Sequence, residues 1–92
     1  MNKSELIDVI ARKTGESKRS VNEVVDVFVD EVQRTVKKGE KVTLPGFGTF
    51  ERRNRAARTG RNPQTGETIQ VPAAKVPAFK AGSSFKSYVS GR

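Results

Sequence analysis

The sequence predicts an α+β fold, with helices over residues 1–40, antiparallel strands through 41–80 and a short C-terminal helix in 81–92. Three observations carry that expectation. Apolar residues recur at helical spacing as far as Val36, and from Lys41 they alternate between turn signals. Phe85, Tyr88 and Val89 then return at i, i+3 and i+4. With 92 residues the chain is expected to form a single domain.

The first helix is placed at residues 3–14. Leu6, Ile7, Val9 and Ile10 have helical spacing, Asn2 and Glu5 stand like a capping box, and Gly15 is a stop. Ser17 is a candidate N-cap for a longer helix ending at Gly39. Its residues Val21, Val24, Val25, Phe28, Val29, Val32 and Val36 cover an arc of roughly 140°, with Val27 outside it. So many valines favour strand by propensity, but the period holds over a longer window and favours helix. That arc fits one wide core face, and equally a helix covered by its own hairpin and by a second subunit.

Lys41-Val42-Thr43-Leu44 alternates like a strand, Pro45-Gly46 signals a turn, and Phe47 to Phe50 resumes extended chain. From Glu51 to Thr68 the only apolar residues besides Pro63 are Ala56 and Ala57, so no core can be built there. The stretch is either disordered or a two-stranded arm, at about 52–73, standing away from the body. A central turn, Asn62-Pro63-Gln64-Thr65-Gly66, favours the arm: proline suits the second turn position and glycine supplies positive φ. Glu51 to Arg58 leads out, and Thr68-Ile69-Gln70-Val71 alternates back toward Pro72. An isolated ribbon of this kind is expected to be mobile until bound. Lys75 to Lys80 reads as a third extended segment near a sheet edge, since Pro77 cannot donate to a ladder. Ala81-Gly82 ends it, and Ser83 to Ser90 forms the last helix, capped near Gly82 or Ser83.

Charge then divides the chain by role. Lysine and arginine number 18 against 10 acids, a net charge of +8. Up to Phe50 there are nine basic and eight acidic residues; beyond it, nine and two, so the halves carry +1 and +7. A one-signed half repels itself unless a polyanion neutralises it, which places the partner surface there. Arg52, Arg53, Arg55, Arg58 and Arg61 fall within ten positions at both parities, so a ribbon shows guanidinium groups on both faces. A solvated charge run is the bland alternative. Solubility needs neither arginine over lysine nor a proline-tipped turn, whereas a narrow phosphate-lined groove suits both. Pro63 is favoured in its turn for conformational reasons alone, and as an exposed apolar wedge for functional ones. Lys80 and Lys86 read equally well as phosphate contacts or ordinary surface lysines.

The same composition narrows the function classes. Cysteine and histidine are absent, which removes disulfide scaffolds, zinc fingers, thiol nucleophiles and histidine bases. Ser83-Ser84-Phe85-Lys86 matches S-x-x-K, but no S-D-N or K-T-G follows. Gly46-Phe47-Gly48 has Glu51 where a dinucleotide motif needs its third glycine. No enzyme, cofactor, metal or small-molecule substrate is expected. Acids stand where a signal peptide's apolar stretch would be, and no apolar run reaches membrane-span length, so a cytoplasmic protein without a membrane partner is expected.

Gly46-Phe47, Phe50, Arg55, Arg58, Gly60, Asn62-Pro63 and Thr65 match, at their spacing, the signature of the bacterial HU/IHF histone-like DNA-binding proteins, and the chain resembles that family over nearly its whole length. The resemblance implies an intertwined homodimer with a helical dimerisation base, a β-sheet saddle and two protruding β-ribbon arms that hold double-stranded DNA through the minor groove. It assigns DNA contacts to Lys3, Arg53, Arg55, Arg58, Arg61, Asn62, Lys75, Lys80 and Lys86, and intercalation to Pro63. It assigns the dimer core to Phe28, Val32, Phe47, Phe50 and Phe79. Ser83 replaces a lysine frequent in the family, which puts one body phosphate contact in doubt. Ala81 replaces a common proline, Pro45 stiffens the turn before Gly46, and Arg52 adds a charge of unassigned direction.

The function so implied is architectural: bending, wrapping and compacting the bacterial chromosome in the nucleoid without reading base edges, with preference for bent, nicked or gapped DNA. The nearest rival is an IHF-like site-specific bender. An RNA-binding protein is a further rival and RNA a secondary partner, although the paired exposed aromatics that stack on unpaired bases are missing.

Overall fold

A computed structural model describes residues 1–91 of the chain. The elements in chain order are α1 (Lys3–Thr14), α2 (Lys18–Lys37), β1 (Val42–Leu44), β2 (Gly48–Arg55), β3 (Arg58–Arg61), β4 (Thr68–Val71), β5 (Ala74–Ala81) and α3 (Ser83–Ser90). They group into two compact units, Met1–Arg34 and the remainder from Thr35.

In the first unit, the Asn2 side chain accepts from the Glu5 N–H, satisfying one of the free donors at the start of α1. Gly15 ends that helix in the left-handed conformation, at φ 75°, with its N–H bonded to the Ala11 carbonyl. Ser17 caps α2 through its hydroxyl, which accepts from the Ser20 N–H at 3.1 Å. Ile7, Ala11 and Val21 form a small buried cluster, with Ile10 and Val25 packed against it. The rest of the α2 arc is poorly covered: Val24 is 67%, Phe28 44% and Val29 46% exposed. The middle of that arc is therefore left exposed, while Val21 and Val36 toward its ends are buried.

In the second unit, α2 ends in a Schellman pair, with Gly39 N–H to Val36 C=O and Glu40 N–H to Thr35 C=O. β1, β2 and β5 make a three-stranded antiparallel sheet in the order β1-β2-β5. Pro77 sits on β5, an edge strand, as its missing N–H requires. Phe47 lies in the turn before β2, so that strand begins one residue later than its aromatic pattern suggests. Gly48 is required where it stands, because a Cβ there would lie 2.4 Å from the Phe79 ring and 2.7 Å from the Lys80 carbonyl. Phe79 packs between Phe50 (centroids 4.9 Å) and Phe47 (5.1 Å), and Phe85 of α3 stacks on Phe47 at 5.3 Å. Among the described residues, no helix is long and apolar enough to cross a membrane.

Candidate nucleic-acid interface

β3 and β4 form a separate two-stranded ladder, with Arg58 opposite Val71 and Arg61 opposite Thr68. β2 and β5 pair from Gly48–Ala81 out to Arg55–Ala74. Two residues intervene on each side, Ala56-Ala57 and Pro72-Ala73, so both ladders keep one register and form a single long hairpin interrupted in the middle. Pro72 has no N–H to offer at the interruption. The outer ladder is thus 58–71. The third strand ends earlier, since β1 pairs with β2 only as far as Phe50, and from Glu51 to Arg55 β2 runs on with β5 alone as a two-stranded ribbon.

At the tip, Asn62 N–H donates to the Glu67 carbonyl (2.8 Å) and Gly66 N–H to the Asn62 carbonyl (2.7 Å). The Asn62 side-chain oxygen accepts from the Gln64 N–H at 2.9 Å, and Gly66 takes φ 75°. Pro63 sits exposed at the apex of this closed turn.

The ladder sorts the arm side chains by face. Arg58, Val71, Gly60 and Ile69 share one side, where a Cβ on Gly60 would meet Ile69 at 3.5 Å and Val71 at 3.7 Å. Thr59, Gln70, Arg61 and Thr68 share the other. The ribbon therefore carries arginine on both faces and has an apolar strip over Gly60 on one of them. Arg55, Arg58 and Arg61 are exposed and, among the described residues, no carboxylate pairs with them.

The other basic candidates divide. Arg53 lies on β2 and pairs with Glu51 at 3.3 Å; Lys41 also approaches Glu51, at 3.8 Å. Lys75 stands opposite Asn54 and Lys80 opposite Thr49, both exposed and at opposite parity on β5, so they look out from different faces. Lys86 is exposed on α3. Lys3, in the first unit, is ion-paired with Asp26. Arg52, despite its place in the arginine run, donates from Nη1 to the Lys37 carbonyl at 3.0 Å, with its guanidinium over Gly39. It satisfies one of the carbonyls that the Schellman pair leaves open at the negative end of α2.

Two roles were missed at the sequence level: the α2 cap made by Arg52, and the place of Phe85 in the aromatic cluster. Phe85 had a signal, since the i, i+3, i+4 pattern gives α3 an apolar side. Arg52 had none, because its partner is a backbone group 15 positions away. Among the described residues no group of three His, Cys, Asp or Glu side chains could hold a metal ion.

The sequence model of the family described as "Bacterial DNA-binding protein" matches residues 1–90. The chain is 53% identical over 89 residues to the DNA-binding protein HU of Geobacillus stearothermophilus, covering 97% of this chain and 99% of that one. It is 52% identical over 92 residues to the SPbeta prophage-derived DNA-binding protein HU 2 of Bacillus subtilis strain 168, with full coverage of both. Among solved structures, the chain is similar to that described as an Anabaena HU-DNA cocrystal, with TM-score 0.93, 44% identity and 100% of both chains covered.

Proposed function

The chain belongs to the bacterial DNA-binding protein family, and we infer on that premise that it is an architectural protein of double-stranded DNA and not an enzyme. The observation that carries this reading is the ribbon 58–71, a slim two-stranded arm with unpaired arginines on both faces and Pro63 exposed at its apex. Such an arm suits a minor groove widened as the duplex bends: its guanidinium groups reach phosphates along either wall. An apolar tip that enters a base step unstacks it and kinks the duplex, the mode for which HU and IHF are established examples. Neither action reads base edges, so binding is largely independent of sequence. DNA already bent, nicked or gapped is preferred, because part of the deformation cost, on the order of 1–6 kcal/mol for a smooth bend, is then avoided.

The working form is a homodimer. A compact monomer of this 10.1 kDa mass exposes about 5,300 Å², whereas this chain leaves 7679 Å² accessible. A second copy covers Phe28 and Val32 on α2 and the half-exposed cluster of Phe47, Phe50 and Phe79. Within it, Arg53, Arg55, Arg58, Arg61, Asn62 and Pro63 act from the arm, while Lys3, Lys75, Lys80 and Lys86 supply phosphate contacts from the body. The whole chain works as one DNA-binding domain, on the chromosome in the cytoplasm, where it compacts the nucleoid.

Gel-shift titration against several duplexes of unrelated sequence, one of them also with a central gap, and matched single-stranded RNA, at two salt concentrations, tests this reading. Similar affinity across duplex sequences, tighter binding to the gapped form and a steep loss with salt are expected. Strong preference for one duplex sequence indicates a site-specific bender, and preference for RNA overturns the assignment.

A further inference from the structure

We infer that Asn62 is a positioning residue: its side chain closes the turn that projects Pro63, and it acts on DNA through that proline. The inference rests on the reading of Pro63 as the wedge.

Three polar groups of Asn62 are turned into the hairpin end. Its N–H bonds to the Glu67 carbonyl at 2.8 Å, its carbonyl accepts from Gly66 at 2.7 Å, and its Oδ1 accepts from the Gln64 N–H at 2.9 Å. Asn62 is accordingly half-buried, while Pro63 and Gln64 are exposed. The side-chain bond falls at a particular place. Pro63 has no N–H, so Gln64 is the first donor after Asn62, and a bond from residue i to the N–H of i+2 closes a small ring around the proline. The fixed φ of Pro63 sets one side of that ring and the Asn62 oxygen the other, so the pyrrolidine is held at one angle to the ribbon. Thr65 Oγ1, accepting from the Glu67 N–H at 3.3 Å, supports the return strand and does not touch the Pro63 segment. A wedge that must enter a single base step depends on orientation, because a freely pivoting tip orders itself only on binding, at an entropic cost. With Oδ1 held in the turn, the amide Nδ2 is the side-chain donor that Asn62 can offer to a groove, and the variants below separate that use from the turn.

The experiment uses the full-length protein at saturation on an end-labelled gapped duplex, with bend read by energy transfer and affinity and salt slope read alongside. Asn62→Asp keeps an acceptor able to close the turn but lacks the amide donor; Asn62→Ala has neither; Pro63→Ala lacks the wedge. The expected result is that Asn62→Ala loses bend to the same extent as Pro63→Ala, weakens binding about two- to tenfold and leaves the salt slope unchanged. Asn62→Asp is expected to bind more weakly, through its added charge, yet to reach the full bend at saturation. A full bend in Asn62→Ala, or a bend lost equally in Asn62→Asp and Asn62→Ala, overturns the inference. If Pro63→Ala bends normally, the wedge reading fails. A bend then lost only in Asn62→Ala also overturns the inference, by showing that Asn62 acts on its own.

Discussion

At the residue scale, neighbouring arginines do different work because of what their side chains meet. Arg55 and Arg58 meet solvent, whereas Arg52 meets the open end of α2 through its 3.0 Å bond to Lys37. Replacing both Arg55 and Arg58 by alanine is expected to weaken binding on all sequences and to lower the slope of log K against log salt by about 1 for each phosphate no longer neutralised. Titration at four or more salt concentrations measures this, and an unchanged slope removes those two residues from the interface. Arg52→Ala is expected to do the reverse, costing about 1 kcal/mol of stability in urea denaturation with no change in slope. A drop of about 1 in that slope would show Arg52 leaving Lys37 for a phosphate.

At the element scale, the long hairpin is one register with two stabilities. β2 and β5 are backed by the Phe50–Phe79 contact at 4.9 Å, while β3 and β4 have only the Ile69 and Val71 strip over Gly60. Ladder hydrogen bonds with little apolar cover open easily. Amides in 58–71 are therefore expected to exchange with solvent at least tenfold faster than those of β2 paired to β5, and to slow on addition of DNA; hydrogen exchange with and without a gapped duplex measures both. Uniform protection along the hairpin in the free protein would mean that the arm is held by something other than its own ladder. Much of this was legible in residues 51–73. Too little apolar chain for a core, a proline turn and an alternating return segment predict a ribbon. The interruption between the two ladders was not legible, because arginines continue from Arg52 to Arg61 without regard to it. Pairing of β2 with β5 ends at Arg55 and Ala74, beside the missing N–H of Pro72.

At the scale of the whole molecule, the exposed apolar surface calls for a second copy. Phe28 is 44% and Val24 67% exposed on α2, positions at helical spacing in the same arc as the buried Val21. A protein whose core is completed by its partner gains stability with concentration. The parent Tm is accordingly expected to rise as protein concentration is raised about a hundredfold. Phe28→Asp is expected to remove that dependence and to shift the sedimenting species from dimer to unfolded or monomeric chain. A stable Phe28→Asp dimer would place the interface elsewhere.

Local chemistry along the chain was enough to specify the α+β class, the three helices with their Asn2, Ser17 and Gly15 caps, the proline-tipped ribbon and the location of positive charge. Each of these depends on spacing, on a fixed φ or on composition, all of which are carried by neighbours in sequence. Three-dimensional packing was needed to establish which arginines are free, where the sheet gives way to the arm, and that the α2 arc is too wide for its own hairpin. Those depend on contacts between distant positions, such as Arg52 with Lys37 and Phe50 with Phe79. Hydrophobic periodicity marks which face is buried but does not say by what, since an apolar arc looks the same whether its cover comes from the same chain or from another copy.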